Sequence, residues 1–303
     1  MLNIGDLDVL REVIMERELW PRLYRIVREV EASIRQKTVR YQPGIILAVY
    51  FWAVLHDRPV SWACDERNWT TPLRPGWLPS PATMSRRLRS LAVAALLRAI
   101  EVRLRESQEP ELLRVIDGKP LPVGGLSHDP DARCGHGAGK IAKGYKIDAI
   151  WAGRPVPEAW LVLPMNVNEA VPAPGLIATA GTFGEGYLLG DSQYDSSALY
   201  DAAKAAGLRL VAPRKDPEAG ISPGHYQAPD RLRAIDSLRR PFGEDLFVLR
   251  GSVERCFANL TSFAGGLAPL PAWVRRMHRV HLWVWAKLLI NGCRIVEKQR
   301  LAA

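Results

Sequence analysis

The spacing of apolar residues changes near residue 110, and this change limits what the chain can fold into. Before that point, Leu, Ile and Val recur at the spacing of amphipathic helices. After it, short apolar runs alternate as strands do. The sequence therefore predicts an all-helical region over residues 1–109 and an α/β domain over residues 110–303, in which helices flank a mixed sheet.

Individual elements of the α/β part can be placed from the same patterns. Val115-Ile116 has the character of a buried strand, and the segment from Gly144 to Trp151 alternates, with a hairpin partner from Glu158 to Leu163. Residues 187–212 follow a strand–helix–strand order that is typical of parallel strands. A polar insertion is expected at about 213–243. The last predicted helices cover residues 246–263 and 273–298.

The N-terminal region contains a candidate DNA-binding helix. Helices are predicted over 8–20 and 22–30, separated at Pro21, and Ser80 followed by Pro81 is a typical helix start. The helix that follows would present Arg86, Arg87 and Arg89, as the second helix of a helix-turn-helix does. An ordinary all-α packing role explains the same pattern about as well.

Three acidic residues are placed where a metal-dependent enzyme would need them. Asp117 ends the run 112–116, Asp191 ends the run 187–190, and Glu254 lies in a segment of helical spacing. Oxygen ligands suit Mg²⁺, and a pair of such ions can support phosphoryl transfer. Taken singly, each acid has a simpler explanation: a turn residue, a helix cap, or the partner of Arg250 on a helix face.

Charge and composition favour an intracellular protein that binds an anionic polymer. The net charge is +9, and residues 231–303 contain 13 Lys and Arg against 5 Asp and Glu, so a basic stretch surrounds Glu254. Such a surface attracts phosphate backbones. The four cysteines form no CxxC pair, no apolar run is long enough for a membrane span, and the N-terminus has no signal-peptide pattern. We therefore expect a cytoplasmic, nucleoid-associated protein.

The three acids and their neighbours resemble a bacterial insertion-sequence transposase of the DDE type, whose catalytic domain is RNase H-like. The matching segments are Val115-Ile116-Asp117-Gly118, Ser127-His128-Asp129-Pro130-Asp131-Ala132, Lys143-Gly144-Tyr145-Lys146-Ile147, Leu189-Gly190-Asp191-Ser192-Gln193-Tyr194-Asp195-Ser196 and Arg250-Gly251-Ser252-Val253-Glu254-Arg255-Cys256-Phe257. The resemblance covers about residues 110–290. It implies an α/β fold with an RNase H-like mixed sheet.

The resemblance also implies a mechanism and partners. Asp117, Asp191 and Glu254 would hold two Mg²⁺ ions, for which Mn²⁺ could substitute, and would cut and join double-stranded DNA at the element ends and at the target. A homodimer is expected because two ends must be handled together. Two alternatives stay open: an RNase H-like nuclease that cleaves without strand transfer, and an inactive, transposase-derived DNA-binding protein.

Basic residues near the acids are candidate phosphate contacts. They are Arg250, Arg255, Lys143, Lys146 and Lys119, for which ordinary surface solvation is the simpler alternative. The resemblance implies a Tyr-Arg-Glu-Lys signature around Arg250 and Glu254, but Phe247 and Thr261 stand at the Tyr and Lys positions. His128, Cys134 and His136 match no common zinc spacing, so a flexible Gly-rich loop near DNA is predicted there.

Overall fold

The computed structural model describes most of the chain in two compact units. Described are residues 19–34, 39–109, 111–137, 139–218, 221, 224–261 and 266–302, without the side chains of 252–254, 261, 301 and 302. The first unit comprises residues 1–107, 262–266 and 282–303, and the second comprises 108–261 and 267–281. Most of the helix predicted over residues 8–20 lies outside the described residues. Within the described ranges, no helix has the length and apolarity needed to cross a bilayer.

The first unit is helical, as predicted. Its helices are α1 (Trp20–Ser33), α2 (Pro43–Leu55), α3 (Val60–Ala63), α4 (Pro81–Arg87), α5 (Leu91–Arg105) and most of α11 (Met277–Ala302). Helix α2 is apolar on every side and is almost entirely buried. Trp52 of α2 stacks on Trp69 with ring centroids 4.7 Å apart, and Trp20 packs edge-on against both. Such aromatic packing contributes a large share of core stability.

Two predicted helix starts in this unit are confirmed. Pro21 lies in the first turn of α1, where its missing N–H costs nothing. Ser80 caps α4, because its side chain accepts a hydrogen bond of 3.3 Å from the Thr83 amide.

The second unit is built on one mixed sheet. Its strands are β1 (Leu113–Pro122), β2 (Arg133–Gly137), β3 (Lys140–Trp151), β4 (Ala159–Pro164), β5 (Gly186–Leu189) and β6 (Leu208–Val211). β1 is the central strand. It pairs antiparallel with β3 and parallel with β5, β5 pairs parallel with β6, and β3 also pairs with β2 and β4. The predicted α/β class, a mixed sheet flanked by helices, is confirmed.

Helices cover this sheet on both faces. Helices α6 (Ala173–Gly181) and α7 (Ser197–Ala205) pack on one face through a core that includes Ile116, Ile150 and Leu188. On the other face, Phe257 of α10 (Ser252–Thr261) meets the ring of Trp151 edge-on, with centroids 6.0 Å apart. Because side chains alternate along a strand, neighbouring residues of β1 point to different helical layers.

Two element predictions are wrong, and a third is refined. β1 does not end at Asp117 but continues to Pro122, because β3 pairs along its full length. The stretch from Gly135 to Lys140, predicted as a flexible loop, forms most of the β2–β3 hairpin. The insertion contains α8 (Pro229–Ser237).

The predicted C-terminal helices are also interrupted. In place of one helix over residues 246–263, the chain forms α9 (Pro241–Val248), a 3₁₀ turn (Leu249–Gly251) and α10. Gly251 ends the turn, and glycine weakens helix continuity. Helix α11 begins at Met277 rather than 273, after Arg276 adopts a positive φ of 74°. Arg250 therefore precedes the helix of Glu254 instead of lying on it.

Candidate active site

Two of the predicted acids lie side by side at one edge of the sheet. β1 and β5 run parallel with Val115 opposite Leu189, and Asp117 and Asp191 each follow two residues later. Equal offsets from a paired position bring two side chains of parallel strands to the same edge and the same face. Asp117 pairs with Ala149 of β3, which places its side chain on the face that packs against α10.

A single arginine lies between the two carboxylates. Arg250 Nη2 is 3.8 Å from Asp117 Oδ1 and 4.0 Å from Asp191 Oδ2. The three side chains are 23%, 20% and 35% exposed, respectively, so a surrounding of low polarity strengthens their attraction. Asp117 and Asp191 therefore share one cation, and their predicted catalytic role stays a prediction.

The surroundings of Asp117 favour its neutral form. Burial raises the pKa of this carboxyl to about 6, and the Asp191 and Glu169 charges add to the effect. A hydrogen bond of 2.9 Å from the Gly118 amide and the charge of Arg250 oppose it. A partly buried carboxylate in this position gains from any additional cation.

The two carboxylate oxygens of Asp191 have different surroundings. One of its oxygens accepts a 2.8 Å hydrogen bond from the Gln193 amide and so caps the 3₁₀ turn Ser192–Tyr194. The other faces Arg250. The capping hydrogen bond fixes the carboxylate in place, which leaves one oxygen oriented toward the cleft.

The third predicted acid is located by its backbone alone. Glu254 lies in the first turn of α10, and its side chain falls outside the described part of the chain. Among the side chains that are described, no group of three or more His, Cys, Asp or Glu is arranged to hold a metal ion. The described part of the cleft thus offers two carboxylates.

These two carboxylates fit a divalent cation. Asp117 and Asp191 already converge on one positive group, and both present oxygen atoms, the donors that Mg²⁺ prefers. Mg²⁺ usually takes only one or two protein carboxylates and completes its shell with water and phosphate. A third protein ligand is therefore not needed for a site of this chemistry.

A buried polar network that sequence reasoning missed lies behind Asp117. Asp148 of β3 pairs with Gly118 and is 1% exposed, and neither of its carboxylate oxygens has a hydrogen-bond partner among the described residues. Burial raises its pKa to about 7, against the influence of the Lys146 charge. Lys146 Nζ in turn contacts Glu169 Oε1 at 3.3 Å, and the hydroxyl of Tyr194 donates to the same carboxylate at 3.5 Å.

This network occupies the sheet face opposite the Asp117 side chain and opens into a cleft of about 530 Å³ that Lys146, Glu169 and Gln193 help to line. The period-two pattern of β3 could have revealed it. Asp148 is the one charged residue in the segment from Ile147 to Ile150. Its side chain lies on the same face of β3 as Ile150, which packs against α6 and α7. Aspartate is almost never fully buried unless it is paired, so its place in this apolar segment indicates polar neighbours.

Gly118 separates Asp117 from this network, and its lack of a side chain is needed. A Cβ atom on Gly118 would lie 2.8 Å from Asp148 Oδ1 and 2.8 Å from Glu169 Oε1. We expect Gly118→Ala to lower the free energy of unfolding by about 1–3 kcal/mol, the usual cost of overpacking. Gly125→Ala is the matched control, because nothing lies within 4 Å of a Cβ there. Urea unfolding measures both, and equal stability of the two variants would contradict the prediction.

The other basic residues predicted near the acids separate into two groups. Lys119 and Lys143 are half-buried and lie on the Asp117 face, where Lys143 Nζ donates to the Ser127 carbonyl at 2.7 Å, and Arg255 is exposed on α10. Lys146 lies on the opposite face, is buried and pairs with Glu169. The structure therefore does not bring Lys146 to the two acids.

In the first unit, the three arginines of the predicted DNA-binding helix also differ. Arg86 on α4 and Arg89 in the turn that follows it are exposed, and Arg89 Nε donates to the Ser85 carbonyl at 3.0 Å. Arg87 is half-buried and donates to the Tyr41 carbonyl at 2.9 Å. Arg86 and Arg89 are the two that remain available to a partner.

The segment after the first acid has a structural role. Asp129 accepts hydrogen bonds from the Tyr145 hydroxyl at 2.7 Å and the Arg276 amide at 2.9 Å, and Asp131 accepts one from the Met277 amide at 3.0 Å. These bonds set the start of α11 against the sheet of the second unit. Cys134 and His136 lie on strand β2 and belong to no described metal cluster.

Comparisons with known proteins give one family match and a similarity to a solved structure. A family model described as a transposase DDE domain matches residues 108–289. No curated protein sequence matches the chain. Among solved structures, the chain is similar to the piggyBac transposase in a synaptic complex with hairpin DNA: identity is 10%, the alignment covers 99% of this chain and 76% of that one, and the TM-score is 0.45.

Proposed function

Because the chain belongs to the family of transposase DDE domains, we propose that it binds the ends of an insertion sequence and catalyses Mg²⁺-dependent strand cleavage and strand transfer there. One observation carries the proposal beyond the family. Asp117 on β1 and Asp191 just after the neighbouring parallel strand β5 both lie within 4.0 Å of the same cationic group.

In this proposal, Asp117, Asp191 and Glu254 hold the catalytic ions, two Mg²⁺ for which Mn²⁺ is expected to substitute. When bound, such ions activate the attacking water or 3′-hydroxyl and stabilise the leaving 3′-oxygen. The hydrogen bonds from the Gly118 and Gln193 amides keep the two aspartates oriented before any substrate arrives. Prior orientation of this kind lowers the cost of reaching the transition state.

Basic side chains would contact the DNA backbone. Arg250, Lys119, Lys143 and Arg255 are the proposed phosphate contacts of the second unit, since they lie on or beside the elements that carry the acids. In the first unit, Arg86 and Arg89 are proposed to bind the element ends, and Arg87 to support their helix. A homodimer would hold both ends together.

The test is a cleavage and joining reaction on defined DNA. Labelled duplexes that carry the inverted repeats flanking the coding region are incubated with the full chain, a target plasmid and either Mg²⁺ or EDTA. We expect a free 3′-hydroxyl at the element end and a joined product with Mg²⁺, and neither with EDTA.

Two other outcomes would reject the proposal in distinct ways. Cleavage without joining, even of a precut end that already has its 3′-hydroxyl, would identify a nuclease. Tight DNA binding without any nicking would identify an inactive, transposase-derived binding protein.

A further inference from the structure

Arg250 has an unusual relation to the two acids. Its Nη2 lies 3.8 Å and 4.0 Å from Asp117 and Asp191, which is beyond hydrogen-bond length to either. Its Nε is buried and has no hydrogen-bond partner among the described residues. Among the described residues, the guanidinium is therefore held near the acids by charge and not by directed hydrogen bonds.

A second arginine in the same unit shows what a permanent pair looks like. Arg231 Nε and Nη2 lie 2.6 Å and 2.7 Å from the two oxygens of Asp195, whose side chain is 2% exposed. That bidentate pair fastens α8 to the segment after Asp191. Arg250 makes no comparable contact to any side chain that the structure describes, so displacing it from the two acids costs less.

We propose that Arg250 is a resident counter-ion, which neutralises Asp117 and Asp191 until a divalent metal displaces it. The inference rests on the proposed function, because it takes the two aspartates to be metal ligands. A guanidinium and a divalent ion repel each other at one pair of carboxylates, so each lowers the affinity for the other. Displacement would leave the guanidinium free for a phosphate of the DNA, the substrate to which planar arginines bind well. Arg250 is in this sense a positioning residue that links metal loading to DNA contact.

The test measures metal binding without DNA. Mn²⁺ binding to the full chain is followed by the loss of the free-ion electron paramagnetic resonance signal. We expect Arg250→Ala to bind Mn²⁺ about ten-fold tighter than wild type, because a competing charge is gone. Arg250→Lys keeps the charge and should bind Mn²⁺ more nearly as wild type does. Arg239→Ala, which removes an exposed charge on the same unit, is the control for net charge.

Thermal unfolding is an independent test of the proposal that Arg250 is a displaceable counter-ion. Without metal, Arg250→Ala should unfold at a lower temperature than wild type, since two carboxylates lose their shared cation. Added Mn²⁺ should then raise its unfolding temperature by more than it raises that of wild type.

Unchanged or weaker Mn²⁺ binding by Arg250→Ala would overturn the proposal, as would equal tightening by Arg250→Lys or Arg239→Ala. Failure of the proposed function would look different. In that case Mn²⁺ binding by the otherwise wild-type chain would not respond to Asp117→Asn.

Discussion

Asp117→Asn is expected to reduce Mg²⁺-dependent cleavage of an element-end duplex by at least about 1,000-fold, which corresponds to roughly 4 kcal/mol of transition-state stabilisation. The substitution keeps the shape of the side chain and its position on β1. It removes the negative charge that faces Arg250 and that, in the proposed function, binds a metal ion. An amide oxygen is a weak replacement for a carboxylate at a divalent cation.

Asp191→Asn should have an effect of the same size, because both aspartates face one cation at nearly equal distance. Glu254→Gln extends the test to the third acid of the resemblance. Single-turnover cleavage with saturating protein separates the chemical step from DNA binding, which should persist in all three variants or become tighter as negative charge is removed.

The control for charge is Asp245→Asn, which neutralises an exposed carboxylate on α9 close to Arg250 in the sequence. It should cleave within about two-fold of wild type, because exposed charges are well screened by solvent. If Asp117→Asn retained more than a tenth of wild-type activity while folded, Asp117 could not be a metal ligand of the reaction.

Local patterns in the sequence indicate Asp117 and Asp191, and the resemblance assigns both to one site. Apolar runs lead into Asp117 and Asp191, and the strand–helix–strand order after residue 187 predicts that β5 and β6 are parallel, which they are. Acids at matched offsets from a paired position of two parallel strands lie close together. The pairing of β1 with β5 joins distant parts of the sequence and was implied by the resemblance alone, and it brings the two carboxylates to Arg250.

The extent of β1 could not be predicted, since its second half resembles a loop. Gly118, Pro120 and Pro122 are residues that normally end strands, yet all three lie in β1. What keeps the strand extended is its partner: β3 pairs as far as Pro122, and Leu121 between the prolines is fully buried. Tertiary packing outweighs local preference here.

Glycines misled the sequence prediction for a related reason. Gly135 and Gly137 indicated flexibility, but a Cβ at either position would collide with the segment around Met165 or with Pro120. The glycines permit close approach of strands rather than motion. Likewise Glu169 lies 23 residues after Lys146, and only the folded chain shows that these two side chains meet.

The strongest stability effect is expected at a buried ion pair near the start of β1. Arg114 Nε donates to Glu158 Oε2 at 2.7 Å, and the two side chains are 1% and 0% exposed. Arg114 Nη1 also donates to the Glu185 carbonyl at 3.1 Å, so the pair joins β1 to the segments before β4 and β5. Glu158→Ala should lower the free energy of unfolding by about 3–5 kcal/mol, because it leaves a buried guanidinium without its counter-ion.

Urea unfolding gives the measurement, and Asp236→Ala is the control. Asp236 forms an exposed i,i+4 pair with Arg240, whose loss should cost less than about 1 kcal/mol. A similar loss in both variants would mean that burial of the Arg114–Glu158 pair is not what makes it important.

The double variant Arg114→Met with Glu158→Leu separates stability from positioning. Replacing both partners by apolar groups of similar size is often neutral or stabilising, so most of the stability should return. Cleavage should not return to the same degree if the pair also holds β1 beside β5, because Asp117 and Asp191 depend on the register of those strands. Full recovery of both stability and cleavage would instead show that ordinary apolar packing suffices to align the two aspartates.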